Sequence, residues 1–511
     1  MAVNMPTKRK ILMLTNSENG QANVFLATSQ ALRDLDPDVD IHFASFNAIK
    51  SAVVTTSAEA SPLNKKPSPI KFHEIDGMSS YNAWIKNPNI NFRRLLTTRP
   101  GFWTTPQTLS ILSRALMPWT GPQLLQNLDE VCRIIKEVQP DLAIVDNLFT
   151  PGLTAARHLG IKYMVLSPNT LKDFVAPLQP WAAFLWKYPC GGSGFPFPVP
   201  WHQVPLNVFY TFVLILLLAF DINSRTAKKY VTEKTGARIF GQSDFIGNPS
   251  KGLKLLLSSQ PELDFPVSHI PQNIVPCGPI VQAVTPVGDA DPELHKWLTR
   301  GPTVFINLGS LSWTTEDQAI QMAHAILSLQ ELWRASGEEG RLQFLWKLKQ
   351  SFDGKTGYDI HRKGCRMEAV LGGHFDKDTV RVVSWVAAEP YAVLQSGHVI
   401  CSVNHGGANS FWEALSAGVP QVVLPVWADT YDFAHRAEFL GIGKFGNRKS
   451  APMHETIELG AALQQVIIGE RAKGFQERAQ HIAALRLERG EGRDVAARYI
   501  LKELCDETVR A

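Results

Sequence analysis

The hydrophobic pattern is most regular between residues 399 and 432, where two short apolar runs enclose a glycine turn and a helical segment. Val399–Val403 and Gln421–Leu424 have the length and composition of buried strands. Asn409–Ala417 has a helical pattern and is followed by Gly418, a residue that commonly ends helices. The pattern therefore predicts a strand, a turn at Asn404–Gly407, a helix and a second strand.

Apolar runs alternate with helical segments along most of the chain. Strands are predicted at 10–15, 40–46, 141–145, 162–166, 254–258, 274–277, 303–308, 344–348 and 379–383. Helices are predicted at 22–35, 125–138, 148–159, 461–469, 474–485 and 494–507, and 278–300 is interpreted as an interdomain linker. This alternation indicates an α/β protein with parallel sheets that opens with a Rossmann-like half. The dinucleotide fingerprint GxGxxG is absent after the first strand, which disfavours a dehydrogenase.

The chain contains one long apolar run, at 208–220, which follows a Pro-, Trp- and Gly-rich segment at 170–205. A membrane span needs roughly 20 apolar residues, and this run is shorter. Three interpretations stay open: a buried helix, an interfacial helix that makes a peripheral membrane contact and shapes an apolar acceptor pocket, and a true span.

Composition is that of a globular protein, with 511 residues, 45% apolar and 19% charged, and a net charge of +4. The sequence contains no basic cluster of the kind that would indicate a nucleic-acid partner. The six cysteines are scattered without a CxxC pair, which disfavours a zinc site and a disulfide framework and predicts a cytoplasmic location. The apolar run at 11–14 is too short for a signal peptide and is predicted to be the first strand.

The turn and helix at 404–417 have the features of a phosphate site. A helix N-terminus presents unpaired N–H groups and the positive end of the helix dipole. Glycines allow a phosphate to approach the backbone, and ligands of open α/β sheets bind at the carboxyl ends of strands. A carboxylate one turn into the helix suits the hydroxyls of a ribose. The candidate donor-binding residues in this region are His405, Gly407, Asn409, Ser410, Glu413, Asp429 and Thr430.

The spacing of these residues resembles the signature of the UDP-dependent glycosyltransferases of the secondary-product and glucuronosyl type. The matching positions are His405, Gly407, Asn409, Ser410, Glu413, Gly418, Val419, Pro420, Pro425 and Asp429. The segment Trp427–Asp432 resembles filamentous-fungal members most.

The resemblance implies a GT-B fold, in which two Rossmann-like domains face a cleft. It predicts an N-terminal acceptor-binding domain at 1–283, a C-terminal nucleotide-sugar-binding domain at 284–490, and a C-terminal helix at 491–511 that crosses back to the first domain. The family uses a UDP-sugar as donor substrate and needs neither a cofactor nor a metal. Three Asp-x-Asp pairs, at 36–38, 38–40 and 289–291, are interpreted as solvated charges.

Further donor contacts are implied by the same resemblance. The backbone after Ser310 would hold the diphosphate, Trp385 would stack on uracil, and the Val386 backbone would read its edge. The family's usual glutamine after this tryptophan is absent, and Thr430 replaces the usual glutamine beside Asp429, so the base and the sugar are less firmly specified. Glucose is the first expectation.

The family's catalytic histidine is missing, because its position holds Gln21, and the neighbouring position where fungal relatives often carry histidine holds Asn19. Amide side chains do not accept a proton at neutral pH. The family's orienting aspartate is matched by Asp146. Three accounts stay open: Asp146 or Glu18 acts as the base, the acceptor is already acidic, or the protein binds the donor and turns over poorly.

The sequence thus predicts an inverting, metal-independent hexosyltransferase that acts on a lipophilic small molecule such as a fungal secondary metabolite. Segments 79–120 and 208–220 are expected to form the acceptor pocket. The alternative from another class is a non-catalytic or weakly active nucleotide-sugar-binding subunit.

Overall fold

Two parallel sheets, each with helices on both faces, form the framework. The computed structural model describes residues 8–506 apart from 59–67, 243, 246–251, 311 and 352–356. The first sheet contains β1 (Lys10–Leu14), β2 (Asp40–Ser45), β3 (Lys71–Glu74), β4 (Leu142–Asp146), β5 (Tyr163–Ser167), β6 (Leu255–Leu257) and β7 (Ile274–Pro276). The second contains β8 (Thr303–Asn307), β9 (Gln343–Lys347), β10 (Val380–Val383), β11 (Val399–Asn404), β12 (Gln421–Val423) and β13 (Gly443–Phe445).

The helices connect these strands and continue beyond the second sheet. Those within the first half are α1 (Asn19–Leu35), α2 (Lys50–Ala58), α3 (Ser80–Lys86), α4 (Phe92–Thr97), α5 (Thr104–Ala115), α6 (Gly121–Val138), α7 (Thr150–His158), α8 (Leu171–Val175), α9 (Ala183–Trp186), α10 (Val204–Phe220) and α11 (Ile222–Thr235). Those that follow are α12 (Val287–Ala290), α13 (Pro292–Leu298), α14 (Glu316–Ser336), α15 (Arg366–Asp376), α16 (Pro390–Leu394), α17 (Ala408–Ser416), α18 (Thr430–Phe439), α19 (Thr456–Ile467), α20 (Glu470–Leu485) and α21 (Gly492–Cys505).

Every strand pairing among the described residues is parallel. The strand orders are β3-β2-β1-β4-β5-β6-β7 and β10-β9-β8-β11-β12-β13. β1 and β4 are buried almost throughout, because helices cover both faces of the sheet and leave no solvated side. The α/β prediction with two Rossmann-like sheets is confirmed.

The order of each sheet reverses at one pair of strands, and ligands of open α/β sheets bind beyond the carboxyl ends of such a pair. In the first sheet this pair is β1 and β4, which are followed by Thr15 and end at Asp146 respectively. In the second sheet it is β8 and β11, which are followed by Gly309 and His405. The topology therefore brings the candidate catalytic residues together at one edge and the candidate donor residues together at another.

The last helix, α21, packs on the first sheet although it follows the second. Its Ala496, Ala497 and Ile500 are buried in the same apolar cluster as Phe25 and Leu32 of α1. The main-chain oxygen of Glu503 accepts a hydrogen bond from Lys162 at 2.6 Å. The C-terminal segment thus ties the two halves of the chain together, while the domain boundaries at 283 and 490 stay a prediction.

Several elements differ from the sequence-based expectation. Helix α1 begins at Asn19 and not at Ala22, because Glu18 already has the extended backbone of an N-cap. The carboxyl part of the expected linker is helical, and Leu294 and Trp297 of α13 are buried against the second sheet. The short strands β3 and β13 carry no apolar alternation strong enough to predict them.

Of the three interpretations of the apolar run at 208–220 in α10, the buried helix is wrong. Only Asn207, Tyr210 and Thr211 of this helix are buried. Among the described residues, Trp201–Thr235 is the one helical stretch that length and composition would allow to cross a bilayer, and only 11% of its most apolar window is buried.

Candidate active site

The turn between β11 and α17 is fixed by Asn404 and a glycine. Asn404 Oδ1 accepts a hydrogen bond from the Gly406 main-chain nitrogen at 2.9 Å, and Asn404 Nδ2 donates to Gln421 Oε1 at 3.0 Å. Gly406 has φ +76°, and a Cβ there would lie 2.7 Å from the Thr430 carbonyl oxygen. The turn therefore requires glycine at 406, and Gly407 becomes the N-cap of α17.

His405 lies between two glycines that leave room for its ring. A Cβ at Gly309 would lie 2.5 Å from His405 Cε1, and a Cβ at Gly407 would lie 2.4 Å from Nε2. His405 Nδ1 is buried with no hydrogen-bond partner among the described residues. Burial lowers the pKa of His405 to about 4, so the free protein holds a neutral imidazole with unused hydrogen-bonding capacity beside the helix N-terminus.

The first turn of α17 makes direct contact with the first half of the chain. Asn409 Nδ2 donates to the Asn19 main-chain oxygen at 2.8 Å. Asn19 is the first residue of α1, so the N-termini of α1 and α17 meet here. Ser410 follows in the same turn and is half-buried. The positive dipole ends of two helices thus converge on the cleft.

Glu413 belongs to a charged cluster with Glu389 and Lys347. Burial raises the pKa of Glu413 to about 8, the Glu389 carboxylate adds to this rise, and Lys347 opposes it. Lys347 Nζ lies 4.1 Å from the centroid of the Trp385 ring, a cation–π contact. Lys347 therefore interacts both with the Glu413 carboxyl, which is expected to bind a ribose, and with the Trp385 indole, which is expected to stack on a base.

The Trp385 ring is available for stacking, because 70% of the residue is exposed. Its neighbour Val386 is buried in the apolar cluster that includes Trp297 and Leu394. The buried valine side chain fixes the backbone at the edge of this site, and the indole projects outward. The expected contacts of Trp385 and Val386 with a base stay a prediction.

Ser310 follows β8 and is exposed. Its main-chain oxygen accepts a hydrogen bond from Lys349 Nζ at 2.5 Å. The contact connects the loops after β8 and β9 and places a cation near the expected diphosphate.

Asp429 and Thr430 have different roles at the start of α18. Burial raises the pKa of Asp429 to about 7, and the carboxylates of Asp173 and Asp432 add to the rise. Thr430 is buried, and its Oγ1 accepts hydrogen bonds from the Val426 and Trp427 nitrogens at 3.1 and 3.0 Å. Thr430 therefore stabilises its own loop. Of the two residues, Asp429 is the one whose side chain is available to a sugar.

Two buried ion pairs hold α18 against the first half of the chain. Arg436 Nη2 lies 2.7 Å from Asp264 Oδ1, with both side chains fully buried, and Asp432 pairs with Lys172. These contacts fix the direction in which α18 begins, and so the position of Asp429. Removing one partner would leave a buried charge uncompensated.

Asp146 is fully buried at the end of β4, among four hydrogen-bond donors. Its Oδ2 accepts from Thr15 Oγ1 at 3.1 Å and from the main-chain and side-chain nitrogens of Asn16 at 3.3 and 3.4 Å. Its Oδ1 accepts from the Leu148 nitrogen at 2.8 Å. Burial raises the pKa of Asp146 to about 6, against the effect of these donors. Both carboxylate oxygens are thus already used.

Glu18 and Gln21 lie at the N-terminus of α1, closer to the cleft. Glu18 Oε1 accepts from the Tyr81 nitrogen at 2.8 Å, and the residue is half-buried. Burial raises the pKa of Glu18 to about 7, with a further contribution from Asp146. Gln21 Oε1 is buried and has no hydrogen-bond partner among the described residues. A proton acceptor and an unpaired amide oxygen therefore lie beside Asn19.

A narrow cavity lies between the two halves of the chain, near Asp429. Its lining residues are Leu95, Thr98, Pro100, Thr108, Leu109, Leu112, Gly192, Val426, Trp427, Ala428 and Tyr431. Segment 79–120 contributes to this lining as expected, and segment 208–220 does not. Instead, Tyr210 of α10 packs behind Leu109.

Residues 375–501 match the family model for the C-terminal domain of erythromycin biosynthesis protein CIII-like proteins. Glycosyltransferase sdnJ from Sordaria araneosa is 33% identical over 490 residues, which cover 92% of each chain. The chain belongs to the UDP-glycosyltransferase family. It is a glycosyltransferase, as the signature around His405 predicts.

Solved structures of this family share the fold. A UDP-glucosyltransferase from Polygonum tinctorium superposes with a TM-score of 0.60 at 15% identity, covering 98% of this chain and 99% of that one. UGT2 of Phytolacca americana, complexed with UDP-2-fluoro-glucose and pterostilbene, gives a TM-score of 0.59 at 16% identity, covering 98% of this chain and all of that one. The two sheets are therefore those of a GT-B glycosyltransferase.

Sequence reasoning missed three contributors to this glycosyltransferase site. Gly309 precedes the expected diphosphate contact at Ser310 and makes room for His405, a role that its sequence position does not reveal. Lys347 and Glu389 escaped notice because they lie outside the family signature and join the site only in three dimensions. The lysine at the carboxyl end of β9 was the one available signal, since that edge of a parallel sheet commonly binds ligands.

Proposed function

We propose that this glycosyltransferase transfers a hexose, with glucose as the first expectation, from a UDP-sugar to a lipophilic small molecule and inverts the anomeric configuration. The family membership supports the reaction, and the apolar lining around Leu109 and Leu112 supports the acceptor class. The match to a biosynthesis protein model supports a role in secondary metabolism.

The observation that carries the proposal is the contact between Asn409 and Asn19. It brings the N-terminus of α17, where the diphosphate would bind, to the residue that follows Glu18. A nucleophile held near Glu18 and a donor held at α17 would therefore lie next to each other. Such proximity is a large part of what an enzyme contributes to a two-substrate reaction.

The reaction requires one proton transfer and one displacement. The acceptor oxygen attacks the anomeric carbon as its proton moves to the base, and the bond from that carbon to the diphosphate oxygen breaks with its electron pair. UDP leaves carrying the negative charge. The α17 N-terminus, His405 and the side chain of Ser410 are placed to stabilise that charge, while Asp429 would bind sugar hydroxyls.

Glu18 is better placed than Asp146 to take the proton. Asp146 has no exposed surface and both its oxygens are hydrogen-bonded, whereas Glu18 is half-buried and lies next to Asn19 at the contact with α17. A pKa of about 7 suits a general base at neutral pH. Asp146 would act on Glu18 through its charge, and the unpaired Gln21 Oε1 would accept a hydrogen bond from the acceptor. An acidic acceptor would reduce the need for any base.

Mass spectrometry tests the proposal directly. The purified protein is incubated with UDP-glucose, UDP-galactose or UDP-N-acetylglucosamine and with a panel of lipophilic alcohols, phenols and carboxylic acids. We expect a hexosyl adduct of at least one acceptor, with a fall in rate for Glu18→Gln. Tight UDP binding without product from any alcohol, phenol or acid would contradict the proposed transfer, and an unchanged rate for Glu18→Gln would contradict the role of Glu18.

A further inference from the structure

We propose that the exposed apolar side of α10 and the residues around it bind the surface of an anionic phospholipid bilayer. We call this surface the docking face and define it by Trp103, Trp201, Phe212, Ile215, Leu216 and Phe220. All six side chains are exposed in the described structure. The proposal is independent of which sugar or acceptor the enzyme uses.

The docking face is built on a helix that is anchored at its start and largely exposed towards its end. Asn207 anchors α10, because its side chain bonds the Cys190 nitrogen and the carbonyl oxygens of Leu185 and Tyr188 at 2.8–3.0 Å. From Ile215 onward every residue of α10 is at least partly exposed. Five exposed aliphatic and aromatic residues between Ile215 and Phe220 leave an apolar surface that a soluble protein normally covers.

Tryptophans surround this helix in the arrangement expected at a membrane interface. Five tryptophans among the described residues have strongly exposed side chains, and one of these is Trp385 of the donor site. The other four, Trp103, Trp181, Trp186 and Trp201, lie on segments that contact α10 or lead into it. Phe102, beside Trp103, stacks on Phe209 of α10 at 5.8 Å. Amphipathic indole rings favour the headgroup level of a bilayer.

The charge of the same region favours an anionic surface. Residues 77–128 contain five Lys and Arg and no acidic residue, and residues 178–238 contain six Lys and Arg and two acidic residues. The Arg225 guanidinium lies 4.7 Å from the Phe220 ring centroid, directly beside the docking face. Basic residues next to an interfacial apolar helix attract anionic lipids. The same excess of positive charge opposes pairing of this face with a second copy of itself.

Both ends of the apolar stretch are tied to the protein, which favours lying on a membrane over crossing it. Asn207 holds the start, and after the helix break at Asp221 the residues Ala227 and Val231 of α11 are buried in the core of the first sheet. A span would have to break one of these sets of contacts. The other side of α10 packs on α5 through Tyr210 and Leu109, so the docking face lies one layer of side chains from the cavity near Asp429.

Vesicle flotation tests the proposal with the full chain. The probes are vesicles of phosphatidylcholine alone and of phosphatidylcholine with phosphatidylserine. We expect binding to the anionic vesicles that weakens with added salt, and a loss of at least about tenfold in partition coefficient for the double variant Ile215→Asn, Leu216→Asn. The matched control is Leu332→Asn, Ile457→Asn, which removes two exposed aliphatic residues from α14 and α19 and should bind as the unaltered protein does.

Each outcome supports or overturns the proposal. Circular dichroism melting confirms that each variant is folded, and a second variant, Lys228→Gln, Lys229→Gln, should lose affinity for anionic vesicles only. Absence of vesicle binding by the unaltered protein overturns the proposal. Equal binding by the Ile215→Asn, Leu216→Asn variant and the Leu332→Asn, Ile457→Asn control also overturns it. So does a change in oligomeric state of the α10 variant without vesicle binding, or resistance of the bound protein to carbonate extraction, which would indicate a span.

Discussion

The side-chain amide of Asn409 donates a hydrogen bond to the main-chain oxygen of Asn19 at 2.8 Å, across 390 positions of sequence. The bond joins the first turns of two helices that follow the reversal points of two different sheets. A donor-binding residue and a residue beside the expected base are therefore in direct contact, and loss of the Asn409 side chain should weaken donor binding.

Asn409→Ala should weaken UDP binding by about fivefold, since one hydrogen bond contributes about 1 kcal/mol and this side chain also fixes the first turn of α17. Asn19→Ala is the matched control, because it keeps the main-chain oxygen that accepts the bond. Isothermal titration with UDP measures both. A larger loss for Asn19→Ala would show that the Asn19 side chain, and not the backbone contact, governs the donor site.

Gly309→Ala should lower kcat nearly as much as His405→Ala, by about two to three powers of ten. The added Cβ would lie 2.5 Å from His405 Cε1, so the imidazole must leave the position in which it meets the departing diphosphate. The double variant should be no worse than either single variant, because both remove the same contact.

Gly337→Ala is the control for the backbone strain that an alanine would cause at position 309. Gly337 has φ +73°, close to the +82° of Gly309, and a Cβ there meets nothing within 4 Å. It should lower Tm as Gly309→Ala does and leave kcat unchanged. Equal kcat losses in both variants would attribute the effect to strain and not to His405.

The local part of the active site could be predicted from the sequence, because its spacing is set within one strand, one turn and one helix. His405, Asn409 and Glu413 lie where a nine-residue pattern places them. Thr430 also lies at the expected position, but its hydroxyl bonds the backbone of its own loop, which residue identity alone does not reveal.

Contacts made across the sheets could not be predicted in the same way. Lys347 and Trp385 meet because β9 and β10 are neighbours, and nothing in either segment specifies that pairing. The exposure of α10 could not be predicted either, since an apolar run of that length is compatible with a core helix or a surface helix. The strands of the parallel sheets, by contrast, were predicted well because burial on both faces makes them continuously apolar.

The pH dependence of kcat/KM should reveal which carboxyl is the base. Glu18 must be ionised to accept a proton, and its pKa is about 7, so the rate should rise with pH up to about 7 and stay level above it. Glu18→Gln should lower the plateau by about two to three powers of ten and remove this dependence.

Asp146→Asn provides the discriminating comparison. Its charge contributes to the raised pKa of Glu18, so its removal should shift the rising limb of the profile to lower pH and keep the limb's shape. If Asp146→Asn abolishes the limb and Glu18→Gln retains it, Asp146 is the base.

Glu413→Gln should stabilise the ligand-free protein increasingly as pH rises. The pKa of Glu413 is 4.5 in a model compound and about 8 in the fold, so between these values folding takes up a proton. The resulting destabilisation is absent below pH 4.5, grows as pH rises towards 8 and is constant above it. The Tm difference between Glu413→Gln and the unaltered protein should therefore widen from pH 5 to pH 8.

The exposed Glu477 gives a control for this measurement. Glu477→Gln also removes one carboxyl, but from the solvent side of α20, and should not change Tm in a pH-dependent way. A constant Tm difference for Glu413→Gln across the range would contradict the link between its burial and its ionisation.

Lys347→Met should weaken UDP binding more at pH 8.5 than at pH 6.5, because Glu413 is already protonated at pH 6.5 whether or not the lysine is present. Lys347 is the cation that opposes the raised pKa of Glu413, and without it the carboxyls of Glu413 and Glu389 face each other uncompensated. Glu413 then stays protonated to higher pH, and a neutral carboxyl accepts hydrogen bonds from ribose hydroxyls less strongly than a carboxylate does. Lys349→Met, which removes the neighbouring lysine that bonds the Ser310 carbonyl, should weaken binding equally at both pH values. A loss for Lys347→Met that does not vary with pH would assign this lysine to the Trp385 ring alone, where it lies 4.1 Å from the centroid, and not to the ionisation of Glu413.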